Sequence, residues 1–364
     1  MPKDAKILAL TRYGLLGASS RVRFALYQPA LEATGYNMEY SPFFDDDYLR
    51  SLYDQRGSGR MIGIVWAYVR RLAALFKLQR YDLLWIEKEL LPFAPAAMER
   101  LLAISGVPYV VDYDDAIFHN YDQHSNSLVR NLLGNRLDGL LARSSGVTAG
   151  NRYLGEYARM HGAKHVVDFP TVVDTATYRP LAFNGRARPL TLGWIGSPAT
   201  RHLLINAIPA LNLAARKTPF RLQTIGIPAL QETIFPIEAL PWTEDSEVAL
   251  LNQIDIGIMP LADTPFERGK CGYKLIQYMA CGKPVIASPV GVNSEIVSPD
   301  IGFLANQASE WVQAIAKLGN NPDLRYQMGQ LGRRKVESRY SLGSNIPKLI
   351  ELFDAICDEH AKKL

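Results

Sequence analysis

Between Ile254 and Ser288 the chain runs through a short apolar segment, a glycine-punctuated polar loop, a helix and a second short apolar segment. Residues 254–261, Ile-Asp-Ile-Gly-Ile-Met-Pro-Leu, read as a buried strand that stops at a proline. Residues 271–281 read as a helix, Gly282 as its stop, and the segment up to Ser288 as another buried strand. Strand, crossover helix and strand in this order belong to a parallel sheet covered on both faces. Open sheets of this kind bind ligands beyond the carboxyl ends of their strands, which is where the loop before the helix lies.

At roughly one hundred degrees per residue, Lys270, Lys274, Gln277 and Cys281 fall within about a sixty-degree stripe of that helix. Gly272, Leu275, Ile276 and Met279 take the opposite face and suit packing on a sheet. Two ammonium groups then join the backbone N–H groups and the dipole at the helix N-terminus, an arrangement that favours an anion. A diphosphate is the natural occupant. The alternative is a solvated amphipathic helix whose lysines serve solubility.

The strand, glycine loop and helix start recur. Residues 6–10 form a first apolar strand, followed by Gly14 and Gly17, which let backbone approach a ligand, with Gly17 a candidate for the diphosphate. Ser19 or Ser20 is the expected cap of a helix opening near Arg21, which puts Arg21 and Arg23 in its first turn against the dipole. Residues so placed are either kept for function or tolerated. Residues 190–195, then Gly196-Ser-Pro-Ala-Thr-Arg201, repeat the unit with Thr200 as cap. The strand at 107–111 runs into Asp112, Asp114 and Asp115, three carboxylates that need solvent, protons, a cation or hydroxyls to share one loop. Asp114 or Asp115 starting a helix is the competing reading.

With 364 residues the length suits two domains, and 48% hydrophobic with 21% charged residues is an ordinary globular composition. A net charge of +4 is too mild to argue for nucleic acid. No apolar run is long enough to span a bilayer, and Met-Pro-Lys-Asp leads straight into a strand, so neither a spanning helix nor a secretory signal is expected. Cys271, Cys281 and Cys357 are odd in number and lack metal-ligand spacing, which fits reduced cytoplasmic thiols. Residues 60–80 form a basic amphipathic helix with aromatics, read either as an ordinary domain helix or as a peripheral contact with the inner face of the plasma membrane.

Asp255-Ile-Gly-Ile-Met-Pro, followed by Gly269-Lys-Cys-Gly-Tyr-Lys-Leu-Ile-Gln-Tyr-Met-Ala-Cys-Gly-Lys-Pro-Val-Ile-Ala-Ser288, resembles the donor-binding signature of glycosyltransferase family 4. The first loop and helix, with Gln28 and Gly35 after them, resemble the same family. The resemblance implies an α/β chain of the GT-B type, two Rossmann-like domains facing each other across a cleft. It places an N-terminal acceptor domain at 1–180, a linker at 181–189, a nucleotide-sugar domain at 190–343, and a final helix at 344–364 that crosses back to the first domain. It implies retaining, metal-independent transfer from a nucleotide-diphosphate sugar to a glycan, lipid-linked or other hydroxyl acceptor, in bacterial cell-surface polysaccharide or glycoconjugate synthesis, without a cofactor.

The resemblance assigns the diphosphate to Lys270 and Lys274 with Arg201 as a looser third, the ribose to Gln277, and the neighbourhood of the base to Trp242. Asp114 or Asp115 would orient hydroxyls at the cleft, with Asp112 nearby. The commoner signature carries two glutamates seven residues apart; Gly269 and Gln277 stand there in this chain, and Glu267 is the acid closest to the first. A nucleotide-sugar epimerase of the same fold and a non-catalytic nucleotide-sugar-binding subunit of a glycan assembly complex are the alternatives. A dehydrogenase would need the dinucleotide fingerprint and a ribose-binding acid, both poorly matched.

Overall fold

The structure, a computed structural model, describes residues 5–53, 60–181 and 189–362. The chain divides into two units: Met1–Thr171 with Gly269–Cys271 and Asn345–Leu364, and Val172–Arg268 with Gly272–Ser344.

In the first unit β1 (Ala5–Leu10), β2 (Tyr36–Tyr40), β3 (Leu83–Glu87), β4 (Tyr109–Tyr113), β5 (Gly146–Ala149) and β6 (Val166–Asp168) form a sheet in the order β2-β1-β3-β4-β5-β6. Every pairing is parallel, with Ile7 opposite Leu83 and Leu84 opposite Tyr109. Helices cover both faces, so β3, β4 and β5 are buried along their whole length, as near-continuous Leu, Ile and Val runs require. Chain direction across the sheet reverses between β1 and β3, and the crevice outside their carboxyl ends is the natural ligand position.

The helix Leu342–Ala361 ends the chain, and from Asn345 it belongs to this first unit, as expected. Phe353 is fully buried and meets Trp85 edge-on at 5.3 Å, while the Tyr36 hydroxyl donates to Asp354 Oδ1 at 2.5 Å.

The second unit repeats the plan with β7 (Thr191–Ile195), β8 (Arg221–Ile225), β9 (Ile237–Leu240), β10 (Ile256–Met259), β11 (Val285–Ala287) and β12 (Gly302–Leu304). The order is β12-β11-β10-β7-β8-β9, all parallel, and the reversal falls between β7 and β10.

The expected domain edge at 180 moves to 171. Residues 172–181 join the second unit because the Val173 N–H donates to Tyr340 O at 3.0 Å, the Leu342 N–H to Val173 O at 2.9 Å, and Arg333 Nη2 to Thr175 O at 2.8 Å. These partners lie far along the chain, where local pattern cannot show them. Of the expected linker, residues 182–188 lie outside the described residues, as does the stretch Met1–Asp4 before β1.

Candidate active site

At the switch point of the first sheet, β3 ends on Glu87, and Lys88 takes φ 64°. That left-handed conformation costs a non-glycine residue about 1–2 kcal/mol, so the surrounding contacts hold it in place. The Lys88 ammonium lies 2.8 Å from Asp114 Oδ1, 3.7 Å from Asp115 Oδ2 and 3.9 Å from Glu87 Oε1, and donates to Ser19 Oγ at 3.3 Å. Lys270, also of this unit, donates to Asp115 Oδ1 at 2.9 Å. Asp115 thus lies between two ammonium groups, with Asp114 and Glu87 beneath it.

Lys88 and Asp114 are nearly enclosed, whereas Asp115 and Lys270 keep about a fifth of their side-chain surface exposed. Burial alone would raise the Asp114 carboxyl, but the Lys88 and Arg23 charges overcome it and hold the group below its ordinary value. Burial likewise opposes the Lys88 charge, and Asp114, Asp115 and Glu87 outweigh it and raise the ammonium. Lys270 is raised in the same sense, by Asp115 against burial. Glu87 moves up, because burial there exceeds the help of Lys88 and of the Ser20 hydroxyl at 2.6 Å. The cluster is a set of fixed charges open to solvent on the Asp115 side, suited to hydrogen-bonding hydroxyl groups.

The sequence named Asp114 and Asp115 as acids beyond this strand and Lys270 as a diphosphate ligand beside Lys274; it did not name Lys88. Its available signal was the charged triplet Glu87-Lys88-Glu89 directly after an apolar strand.

Several expectations for this unit are corrected. Arg23 and Asp112 do not face a ligand: both are fully buried, and Arg23 Nε and Nη2 grip Asp112 at 2.9 and 2.5 Å. Thr148 adds a hydrogen bond to Asp112 at 2.6 Å, and Arg23 Nη1 donates to Phe169 O at 2.7 Å. This buried, fully matched pair ties the first helix to the sheet.

The helix opens at Ala18 rather than Arg21, so Arg21 and Arg23 stand in its last turn, where the dipole favours cations. Arg21 reaches back to Leu15 O at 3.1 Å. Neither serine caps this helix; Ser20 serves Glu87 and Ser19 serves Lys88. Gly17 is buried, its N–H donates to Gly14 O, and a Cβ there would lie 2.5 Å from Tyr13 Cβ. Packing thus explains this glycine, and its amide has no bond left for a phosphate. Asp114 and Asp115 do not start a helix either, since the next one opens at His119 with Phe118 at its cap.

In the second unit, the helix expected over 271–281 is Tyr273–Ala280, entered through Gly272 at φ 67°. Lys270 therefore precedes the helix. Gln277 and Cys281 are buried, so the polar stripe shrinks to Lys274. The Lys274 ammonium lies over the Trp194 ring, 5.3 Å from its centroid, and Trp194 belongs to β7 at the switch point. Gly196 follows β7, and a Cβ there would lie 2.4 Å from Trp194 Cη2, so the strand can turn here only with glycine. Arg201 opens the helix Arg201–Ala215, and its buried Nε meets no hydrogen-bond partner among the described residues. Thr200 makes no side-chain cap. An N-terminal helix turn, Arg201 and Lys274 are the means by which this end can hold an anion.

Gln277 donates to Glu247 Oε1 at 2.6 Å, and Glu247 also accepts from the Tyr178 hydroxyl and Trp242 Nε1. Gln277 and Trp242 are accordingly engaged inside this unit, with Trp242 packed against its core. Glu267 is nearly buried and accepts from the Thr264 hydroxyl. The glycine at 269 has a steric cause: a Cβ would lie 2.4 Å from Ala116 Cβ and 2.8 Å from its amide nitrogen. A glutamate could not occupy that position without displacing the loop after β4.

Residues 189–321, less than half of the chain, match the family model described as Glycosyl transferases group 1. No curated protein matches the chain. Among solved structures, sucrose-phosphate synthase from Thermosynechococcus elongatus superposes with a TM-score of 0.70 at 15% identity, covering 97% of this chain and 99% of that one. HepE from Anabaena, in complex with UDP and glucose, gives 0.68 at 16% identity over 96% and 100%. A glycosyltransferase from Rickettsia africae gives 0.67 at 15% identity over 97% and 98%. The fold is GT-B. Within this GT-B chain the family match falls on the unit that carries Arg201 and Lys274.

Proposed function

We propose that the protein is a glycosyltransferase that takes its sugar from a nucleotide-diphosphate donor. The observation that carries this reading is the switch point of the second sheet. There Arg201, with an unpartnered Nε, opens one helix and Lys274 stands in the first turn of another, inside the segment that matches the glycosyl transferases group 1 model. HepE, of the same fold, was solved with UDP and glucose and with UDP-glucose, which supports a donor of this class.

The chemical difficulty of the reaction is the leaving diphosphate, which gathers negative charge as the glycosidic bond breaks. Lys274, Arg201 and the two helix N-termini would stabilise that charge in the transition state. Asp115, with Asp114 and Lys88 fixing its position, would orient hydroxyls of the sugar or acceptor. Retention at the anomeric carbon and independence of metal are proposed on the sequence resemblance. So are a glycan or lipid-linked acceptor and a place in bacterial surface-glycan synthesis.

The test is a thermal-shift titration with UDP, GDP, dTDP and ADP, each with and without EDTA. One diphosphate should raise Tm equally with and without EDTA, and the shift should vanish in Lys274→Ala. No shift with any diphosphate overturns the reading. Turnover of the nucleotide sugar without acceptor would point to an epimerase, and binding without turnover to a non-catalytic subunit.

A further inference from the structure

The helix Arg60–Leu75 has two unlike faces, and the outer one has no cover among the described residues. Met61, Ile62, Val65, Trp66 and Val69 are all exposed, Met61 at 73% and Trp66 at 60%, and Phe76 just beyond the helix is 92% exposed. On a helical wheel the five from the helix span about 140°, a contiguous apolar stripe rather than scattered residues.

The inner face is anchored. Ala67 is fully buried, Arg71 Nη2 donates to Thr11 O at 2.5 Å, and the Tyr68 hydroxyl donates to Pro92 O. Arg70 pairs with Asp45 at 2.6 Å. The outer face is therefore held outward by fixed contacts. At its end Lys77 and Arg80 are exposed and form no ion pair among the described residues. From 60 to 80 the sequence contains five basic residues and no acid.

We propose that this face docks on an anionic lipid bilayer. An exposed Trp among aliphatic side chains, followed by the exposed bases Lys77 and Arg80, matches the interfacial region and the charge of such a surface. No described helix is long and apolar enough to cross a membrane, so the helix lies along the surface. One anchor, Thr11, directly follows β1, and the other, Pro92, lies in the segment after β3, the strand that ends on Glu87 next to Lys88. Docking would bring the acid–lysine cluster to the membrane surface. That consequence matters for an amphiphilic acceptor only if the transferase reading holds, whereas vesicle binding does not depend on it.

Full-length protein is sedimented with vesicles of phosphatidylcholine alone and of phosphatidylcholine mixed with phosphatidylglycerol, at low and high salt. Binding is expected on the anionic vesicles and should weaken with salt. It should fall roughly tenfold or more in the Val65→Ser/Trp66→Ser double variant and in Lys77→Glu/Arg80→Glu. All four positions are exposed, so Tm should be unchanged, which separates loss of docking from misfolding. A blue shift of Trp emission on vesicles, absent in Trp66→Phe, would place the contact at this face. No binding to anionic vesicles at low salt, or equal binding by both variants, overturns the proposal. So does a dimer in solution that the Val65→Ser/Trp66→Ser change dissociates.

Discussion

The carboxyl ends of β1 and β3 and those of β7 and β10 are equivalent positions in two similar sheets, and they are furnished differently. In the first, cations and acids are matched: Lys88 against Asp114, Asp115 and Glu87, and Lys270 against Asp115. In the second, the nearby acids are engaged by neutral donors. Glu247 is bound by Tyr178, Trp242 and Gln277, and Glu267 by Thr264. A matched cluster offers alternating donors and acceptors, which suits hydroxyls. An end built from Arg201, Lys274 and helix N-termini offers donors, which suits a phosphate. One architecture thus carries two different sets of polar groups at its strand ends.

Lys88→Met tests the matched end most severely. It leaves Asp114 and Glu87 buried without their ammonium, and chemical denaturation should show a loss of about 3–5 kcal/mol. A loss below about 1 kcal/mol would mean that solvent already screens the cluster. At the other end, Arg201→Ala and Lys274→Ala should each weaken diphosphate binding about tenfold to a hundredfold, read by calorimetry, with Tm nearly unchanged. Equal losses of binding and stability would erase the distinction between the two ends.

Gly269→Ala should cost about 1–3 kcal/mol, because the new methyl meets Ala116 backbone and Cβ. Asp115→Asn should leave stability within about 0.5 kcal/mol, since the group is partly solvated, while lowering turnover. An unchanged turnover would remove Asp115 from the proposed site.

A pH-dependent effect concerns Glu99, a buried carboxyl whose value burial pushes up to about 7 despite Arg136. Its native form holds a proton that the unfolded chain has lost between about pH 4.5 and 7, so this group's contribution to stability falls as pH rises through that window. Glu99→Gln should flatten that part of the pH–stability profile. An unchanged slope would assign it elsewhere.

Fold class and the strands at 6–10, 107–111, 190–195 and 254–261 were legible because each is a short apolar run, a pattern local in sequence; β2 and β9, interrupted by polar residues, carry no such run. Asp115 was legible as an acid just beyond the apolar run at 107–111, and Lys270, Lys274 and Arg201 as bases between a glycine loop and the start of a helix. Arg23 and Asp112 look equally functional by that rule, yet they are 89 residues apart and neutralise each other in the core. The sequence by itself determined two parallel sheets and a set of ionisable groups at their carboxyl ends, because period and composition are properties of neighbouring residues. Only the tertiary structure decided which of those groups are consumed by one another, that Lys88 joins Asp114, and that Ala116 forbids a side chain at 269. Partnership and free volume depend on residues distant in the chain, and no local pattern carries them.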